Sequence, residues 1–518
     1  MPTASTLDNT LINALLNSQV YDHDVEQIKL VETHISWVIL TGDFAYKIKK
    51  PLSLGFLDFS SLEKRKHCCE EELRLNRRTA PDIYLEVVTI NGTKEKPQLS
   101  SNDETIEYAV KMKQFPQQSQ LDCVLLNNRL TPEVVNAFAQ MIADFHQSAA
   151  VADSSSEYGN DYHVLEPVNE NLQQILDRVK DDNCYTTIKQ LEQWIKASHK
   201  TLLPLINKRK EMGFIRECHG DLHLRNLAWI DHQAIAFDCI EFNPYLRWID
   251  VISDIAFLVM DLQARNETAL AQQFLNSYLE STGDYNGTQL LSFYMVYRAL
   301  VRAKVDAISM TQTHTSSIND NDAKIEFYSY LNLARSYTQK HPIKLIILHG
   351  VSASGKTSFS QKLLNFIPAI RIRSDVERKR IFKLKIKDNT HASPGKDIYT
   401  KEISIKLYDK LEQLSKMVIN AGYSVIIDAA FLEKDKRDQF KALAKSQNAE
   451  FFILSFTVSD DILRQRITQR TGDASDADLS VLETQLLNFR PLERSEKTYS
   501  HSINTNTSAK NIAFIIKS

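Results

Sequence analysis

The chain has 518 residues, 43% hydrophobic and 25% charged, which excludes a disordered chain, a fibre and a small disulfide scaffold and allows roughly two to four domains. Its net charge of −3 supplies no global basic field for nucleic acid or an anionic membrane. The six cysteines include no CxxC pair, so neither a zinc ribbon nor a dithiol redox centre is expected, and thiols this sparse read as reduced and intracellular.

In chain order, residues 34–49 predict a hairpin: an extended run His34–Leu40, the turn Thr41-Gly42-Asp43 and a second run Phe44–Lys49. A helix follows at about Ser61–Arg78, then a strand at Ile106–Met112 that runs through YAVKMKQFP (Tyr108–Pro116) into a hinge where adenine would bind. Helical patterns fill Pro132–Ser148 and Asn169–Lys208. A second hairpin, Leu227–Asp238, turns at Asp231-His232, and helices dominate from there to Ser336. A small sheet followed by a larger helical part is an α+β, bilobal pattern with a cleft between its lobes.

The polar stretch Ser336–Pro342 is the predicted boundary. It divides a first domain, 1–335 (small lobe about 20–117, large lobe about 118–335), from a second, 343–518, with 336–342 as linker. In the second part, strand Lys344–Leu348, helix Thr357–Phe366 and strand Ala369–Ile372 alternate. Ile403, Leu407, Leu411, Leu414 and Val418 then recur at helical spacing, with Gly422 as C-cap. Val425–Ile427, Phe451–Phe456 and Ile512–Ile516 are further predicted strands, so this part reads as α/β with a parallel sheet.

The sequence Gly350-Val-Ser352-Ala353-Ser354-Gly355-Lys356-Thr357 fits GxxxxGK[ST], between a strand and a helix. Glycines let backbone N–H groups, carried on through Ser358, curl around phosphate. The lysine reaches the terminal phosphates of ATP, and the Thr357 hydroxyl holds Mg²⁺. Asp428, at the end of a buried strand, is the candidate second carboxylate on the Mg²⁺ side. Asp375 follows the second strand among Arg371, Arg373 and Arg378, placed to take the proton of an acceptor hydroxyl while arginines hold phosphate. Arg464, Arg466 and Arg470 lie on one helix. Arg464 and Arg470 are the candidate lid arginines, and Arg466 shares a face with Arg470.

A second constellation is His219-Gly-Asp221-Leu-His-Leu-Arg-Asn226, followed after the hairpin by Asp238. The interval from Asp221 to Asn226 and the later aspartate reproduce the spacing of the protein-kinase catalytic loop: a base for the acceptor hydroxyl, then an amide and a carboxylate for Mg²⁺. Lys47, in the second strand of the first hairpin, is the candidate phosphate lysine. Lys49 faces the same side and stays an alternative. Among the glutamates of the following helix, Glu72 is the most inward by angular position and is the candidate partner of that lysine. His219 and His223 lack a third spaced ligand, so a structural role is expected for them, and Cys218 and Cys239 are expected to be buried, inert thiols.

On GVSASGKT, RSDVERKR, VIIDAAF and RQRITQRTGDASDAD, residues 343–518 resemble the P-loop small-molecule kinases near the gluconate-kinase and zeta-toxin-like group, of AAA type. On HGDxxxxN, residues 20–335 resemble the aminoglycoside-phosphotransferase and choline-kinase branch of the kinase fold. No GxGxxG loop precedes Lys47, and Asp238-Cys-Ile-Glu241 stands where DFG would. The resemblance implies that Glu241 helps with metal or holds the loop, and that Asp250 and Asp254 brace it. It also implies ATP and Mg²⁺ as cofactors and phosphoryl transfer to a hydroxyl. The expectation is therefore a cytoplasmic phosphotransferase with two ATP sites, acting on small-molecule hydroxyl acceptors, with no membrane partner and no clear nucleic-acid signal. Two other readings are weighed against it: one domain senses nucleotide and gates the other, or the chain modifies aminoglycosides.

Overall fold

The computed structural model describes residues 9–53, 57–312, 320–385, 401–469, 478–504 and 506–517. They group into two units, Met1–Pro167 with Leu203–Leu258, and Val168–Leu202 with Val259–Ser518.

The first unit is built on a six-stranded antiparallel sheet in the spatial order Lys29–Glu32, Ser36–Leu40, Phe44–Lys49, Thr105–Lys113, Tyr84–Gly92, Pro97–Leu99. Residues alternate between its faces. Trp37, Ile39, Tyr46, Ile48, Val88 and Ile90 pack with Ile12 and Leu15 on one face. Ala45, Val110 and Met112 pack with Cys69 and Leu73 of helix Leu62–Asn76 on the other. Lys47 and Lys49 follow Ala45 at intervals of two and so face that helix. The predicted helix starts where its cap dictates: the Ser61 hydroxyl accepts the Lys64 N–H at 3.3 Å.

Also in this unit, Leu227–Ile230 and Gln233–Ala236 form the second predicted hairpin. Asp231 and His232 both have positive φ, 48° and 63°, as a two-residue turn with the right twist requires. A short antiparallel pair, Ile215–Glu217 with Trp248–Asp250, flanks the loop that begins at His219. The helical pattern over Asn169–Lys208 forms two helices, Asp161–Arg178 and Asp182–Glu211, most of whose residues belong to the second unit. Asp181 breaks the run by accepting the Cys184 N–H at 2.8 Å, and a competing side-chain acceptor of this kind starts a new helix.

In the second unit five strands run parallel, in the order Ala369–Arg373, Ser424–Asp428, Lys344–His349, Glu450–Phe456, Ser500–Ile503. The predicted strand at Ile512–Ile516 is wrong: these residues lie in helix Ala509–Lys517. Ala509, Ile512, Ala513 and Ile516 are its buried residues, a helical spacing, and they pack with Phe359 and Leu363 under the sheet. Helix Lys401–Asn420 ends as expected, with the Gly422 N–H on Ile419 O and the Tyr423 N–H on Val418 O.

Helices Thr268–Thr282 and Thr288–Gln312 also belong to this unit, and the first packs on the edge strand Ala369–Arg373. The Asn276 side chain mimics a neighbouring strand there: its Nδ2 donates to Ala369 O at 3.0 Å and its Oδ1 accepts the Arg371 N–H at 2.6 Å. That satisfies backbone groups that an open sheet edge would leave bare. No helix among the described residues is long and apolar enough to cross a membrane.

Candidate active sites

The first site forms on the loop His219–Asn226. Gly220 has φ +87°, and a Cβ there would stand 2.8 Å from Leu246 O, so only glycine fits. The buried Asp254 carboxylate fastens the loop from below, accepting the N–H groups of His219 at 3.0 Å and Gly220 at 2.8 Å and lying 3.1 Å from His146 Nε2. Asp250 holds Arg209 through two bonds, at 2.7 and 2.9 Å, and accepts the Ile252 N–H at 2.9 Å. Asp254 thus braces the loop directly, whereas the bonds of Asp250 go to Arg209 and Ile252 and not to the loop.

On this support Asn226 Nδ2 donates to the Asp221 backbone oxygen and to Asp221 Oδ2, both at 2.9 Å, and His223 Nε2 is 3.3 Å from the same carboxylate oxygen. The Asp221 side chain keeps about a third of its surface open. His219 is buried and its Nε2 bonds Phe237 O at 2.9 Å; burial lowers its pKa, so it is a neutral structural group.

Asp238 follows the hairpin with φ +62°, its N–H on the Tyr84 hydroxyl at 3.1 Å and its carboxylate half-exposed. It meets Lys47, which also donates to Glu72 Oε1 at 2.7 Å. The structure thus brings Lys47, Glu72 and Asp238 together, and places Lys49 against the other oxygen of Glu72 and against Glu241. Burial works against the Lys47 charge, yet Asp238 and Glu72 carry its pKa well above the ordinary lysine value. Partial desolvation would raise Asp238, and the Lys47 cation outweighs it and lowers the carboxyl below its usual range. Burial raises the Glu241 pKa, with Lys49 opposing.

Cys218 and Cys239 are buried beside this loop; burial holds the Cys239 thiol at about 12 and the Cys218 thiol well above its usual value. Iodoacetamide at neutral pH should therefore leave both unmodified in the native protein, with Cys123, the one cysteine that is not buried, the first to react. Peptide mass mapping checks this; early alkylation of Cys239 would contradict it.

The second site lies at the carboxyl ends of the parallel strands. Gly350 (φ +152°), Ala353 (φ +61°) and Gly355 (φ +95°) curl the backbone between strand Lys344–His349 and helix Lys356–Leu363. Ser352 offers its N–H to Gln485 Oε1 at 2.6 Å, and Ser354 is buried in the loop. Lys356 Nζ lies across the loop, donating to Gly350 O at 2.9 Å and Val351 O at 2.7 Å. Thr357 and Ser358 open the helix, Thr357 half-buried and Ser358 exposed. Asp428 is 5% exposed and ends its strand with a buried Oδ2 that has no hydrogen-bond partner. A buried carboxylate oxygen left this way fits a cation or its water.

Asp375 stands in the first turn of helix Ser374–Ile381 and pairs with Arg378 at 2.8 Å. Arg371 and Arg373 are held by one carboxylate, Glu280, at 3.2 and 2.8 Å. Arg464 pairs with Glu483 at 2.9 Å, while Arg466 reaches Ala353 O of the phosphate loop at 3.2 Å. Arg470 lies outside the described residues. Sequence reasoning did not find Glu280, Asn276 or Gln485. Each acts over a long sequence separation, and no local pattern marks it.

Residues 99–291 match the phosphotransferase enzyme family, and residues 345–492 match an AAA domain. An uncharacterized protein of Mycobacterium tuberculosis is 26% identical over 453 residues, covering 87% of this chain and 88% of its own. A choline/ethanolamine kinase family protein from Mesorhizobium loti aligns with a TM-score of 0.36 and 11% identity, covering 64% of this chain and 99% of that one. A gluconokinase from Sinorhizobium meliloti 1021 aligns with a TM-score of 0.24 and 17% identity, covering 34% and 90%. Residues 99–291, which include strand Thr105–Lys113 of the antiparallel sheet, are therefore similar to the phosphotransferase enzyme family, and residues 345–492, which carry four of the five parallel strands, are similar to an AAA domain.

Proposed function

We propose that this protein is an ATP- and Mg²⁺-dependent phosphotransferase with two nucleotide centres, each transferring a phosphoryl group to the hydroxyl of a small molecule. The observation that carries the reading is the meeting of Lys47 with Glu72 and Asp238, beside a separate Asp221–Asn226 pair. In the first centre Asp221 orients the acceptor hydroxyl and takes its proton on a carboxylate oxygen as the acceptor O–P bond forms and the bond from the γ-phosphorus to the bridging oxygen of ATP breaks, with ADP leaving. Lys47 binds phosphate oxygens and Glu72 keeps the amine in place. Asn226, through Oδ1, and Asp238 fit Mg²⁺. The ion supplies charge neutralisation on the phosphates.

In the second centre the amides from Gly350 to Ser358 cradle phosphate and Lys356 turns from the Gly350 and Val351 carbonyls toward it. Thr357 and Asp428 fit Mg²⁺, and Asp375 accepts the acceptor proton. Arg464 and Arg470 are candidate phosphate cations of a lid, and Arg466, which reaches Ala353 O of the loop, joins them. Soluble hydroxyl metabolites in the cytoplasm are the acceptor class that this chemistry needs.

The test is ATP turnover with Mg²⁺ by wild type, Asp221→Ala and Lys356→Ala, with and without a pooled metabolite extract. Stimulation by the extract that one substitution abolishes assigns transfer to that centre. Extract-independent turnover in all three proteins contradicts the reading.

A further inference from the structure

The Lys47 site has an inner half that the proposed chemistry does not use. Strand Phe44–Lys49 points two amines at one carboxylate: Lys47 takes Glu72 Oε1 at 2.7 Å and Lys49 takes Oε2. Each lysine then binds one further carboxylate, Lys47 that of Asp238 and Lys49 that of Glu241. Asp238 and Glu241 belong to one short segment, so strand, helix and segment are joined by a chain of alternating charge, Asp238–Lys47–Glu72–Lys49–Glu241.

The two halves differ in exposure. Side-chain exposure is 0% for Lys49, 0% for Glu72 and 3% for Glu241, against 45% for Asp238. Lys49 is further enclosed by the Phe59 ring, 5.4 Å from its centroid, and the Glu241 backbone oxygen is held by Arg247 at 3.0 Å. Asp238 is open to a ligand, with Lys47 just beneath it at 10% side-chain exposure, whereas the Lys49–Glu241 pair cannot exchange partners without stranding charge in a dry interior.

This matters because Lys47 and Asp238 are bound to each other, whereas phosphate and metal require them apart. Once they separate, one of the two ion pairs between the strand and the 238–241 segment is lost, and Lys49, bonded to both Glu72 and Glu241, supplies the one that remains. We propose that Lys49 is a positioning residue: with Glu241 it holds Glu72 and the Asp238 segment in register while Lys47 lets go of Asp238 to take phosphate. The proposal rests on the reading of the first centre given above.

The test uses the full chain carrying Lys356→Ala, which removes the P-loop site, and titrates Mg²⁺ against binding of a fluorescent ATP analogue. Lys49→Met with Glu241→Gln removes both members of the inner pair, avoiding a lone buried charge. Its melting temperature should stay near that of the parent, while half-saturation requires roughly tenfold to a hundredfold more Mg²⁺, the usual cost of losing a group that orients a metal ligand. Glu241→Gln alone, which keeps Lys49 on Glu72, should shift the Mg²⁺ requirement in the same direction and serves if the double variant does not fold. Unchanged Mg²⁺ dependence in a folded variant overturns the proposal. Absence of Mg²⁺-dependent binding in the Lys356→Ala parent instead overturns the reading of the first centre, and this proposal with it.

Discussion

Asp221→Asn should lower acceptor-dependent turnover of the first centre by about 10²–10⁴-fold, the usual contribution of a positioned general base. Nucleotide affinity should change little, because Lys47, Glu72 and Asp238 do not depend on Asp221 for their contacts. The fold should also persist. The loop is held by Asp254 through the N–H groups of His219 and Gly220, and an asparagine oxygen can still accept from Asn226. The measurement is turnover with metabolite extract in a Lys356→Ala background, alongside nucleotide affinity. Undiminished turnover would remove Asp221 from the chemistry. Lost affinity would make its role structural.

Glu280→Ala should destabilise the second unit by about 3–5 kcal/mol, the range for removing one partner of a buried ion pair. The side chains of Arg371 and Arg373 are 7% and 12% exposed, and both pair with this one carboxylate. Without it two cations remain beside the strand end that leads into Asp375. Glu280→Gln should cost less, since an amide oxygen still accepts. Urea unfolding of the full chain, following the second transition, measures both. A fragment of residues 343–518 would lose Asn276 as well as Glu280, and its bare edge strand Ala369–Arg373 should make it aggregate. A soluble fragment as stable as the intact chain would contradict this.

The amount legible in the sequence followed how local each signal is. Asp231-His232, Ser61 and Gly422 act within a few residues, and turn, cap and helix end appear where composition puts them. The phosphate loop and the Asp221 to Asn226 interval are local as well. Glu72 was legible as the inward glutamate of its helix, but its sharing between Lys47 and Lys49 was not, since that depends on how the helix faces the sheet. Ile512–Ile516 misled because a short apolar run suits strand and helix equally; only its packing against Phe359 and Leu363 decides. Glu280 and Asn276 were invisible. They lie ahead of the proline-marked boundary, yet bind residues after it in the same unit.

The account's central claim is that one chain holds two separate nucleotide centres. Equilibrium dialysis of a non-hydrolysable ATP analogue with Mg²⁺ tests it most directly. The account predicts two nucleotides bound by each wild-type chain, and one by either Lys356→Ala or Lys47→Met. A single nucleotide per wild-type chain, retained when Lys356 is replaced, would contradict it and leave the P-loop without its assigned ligand.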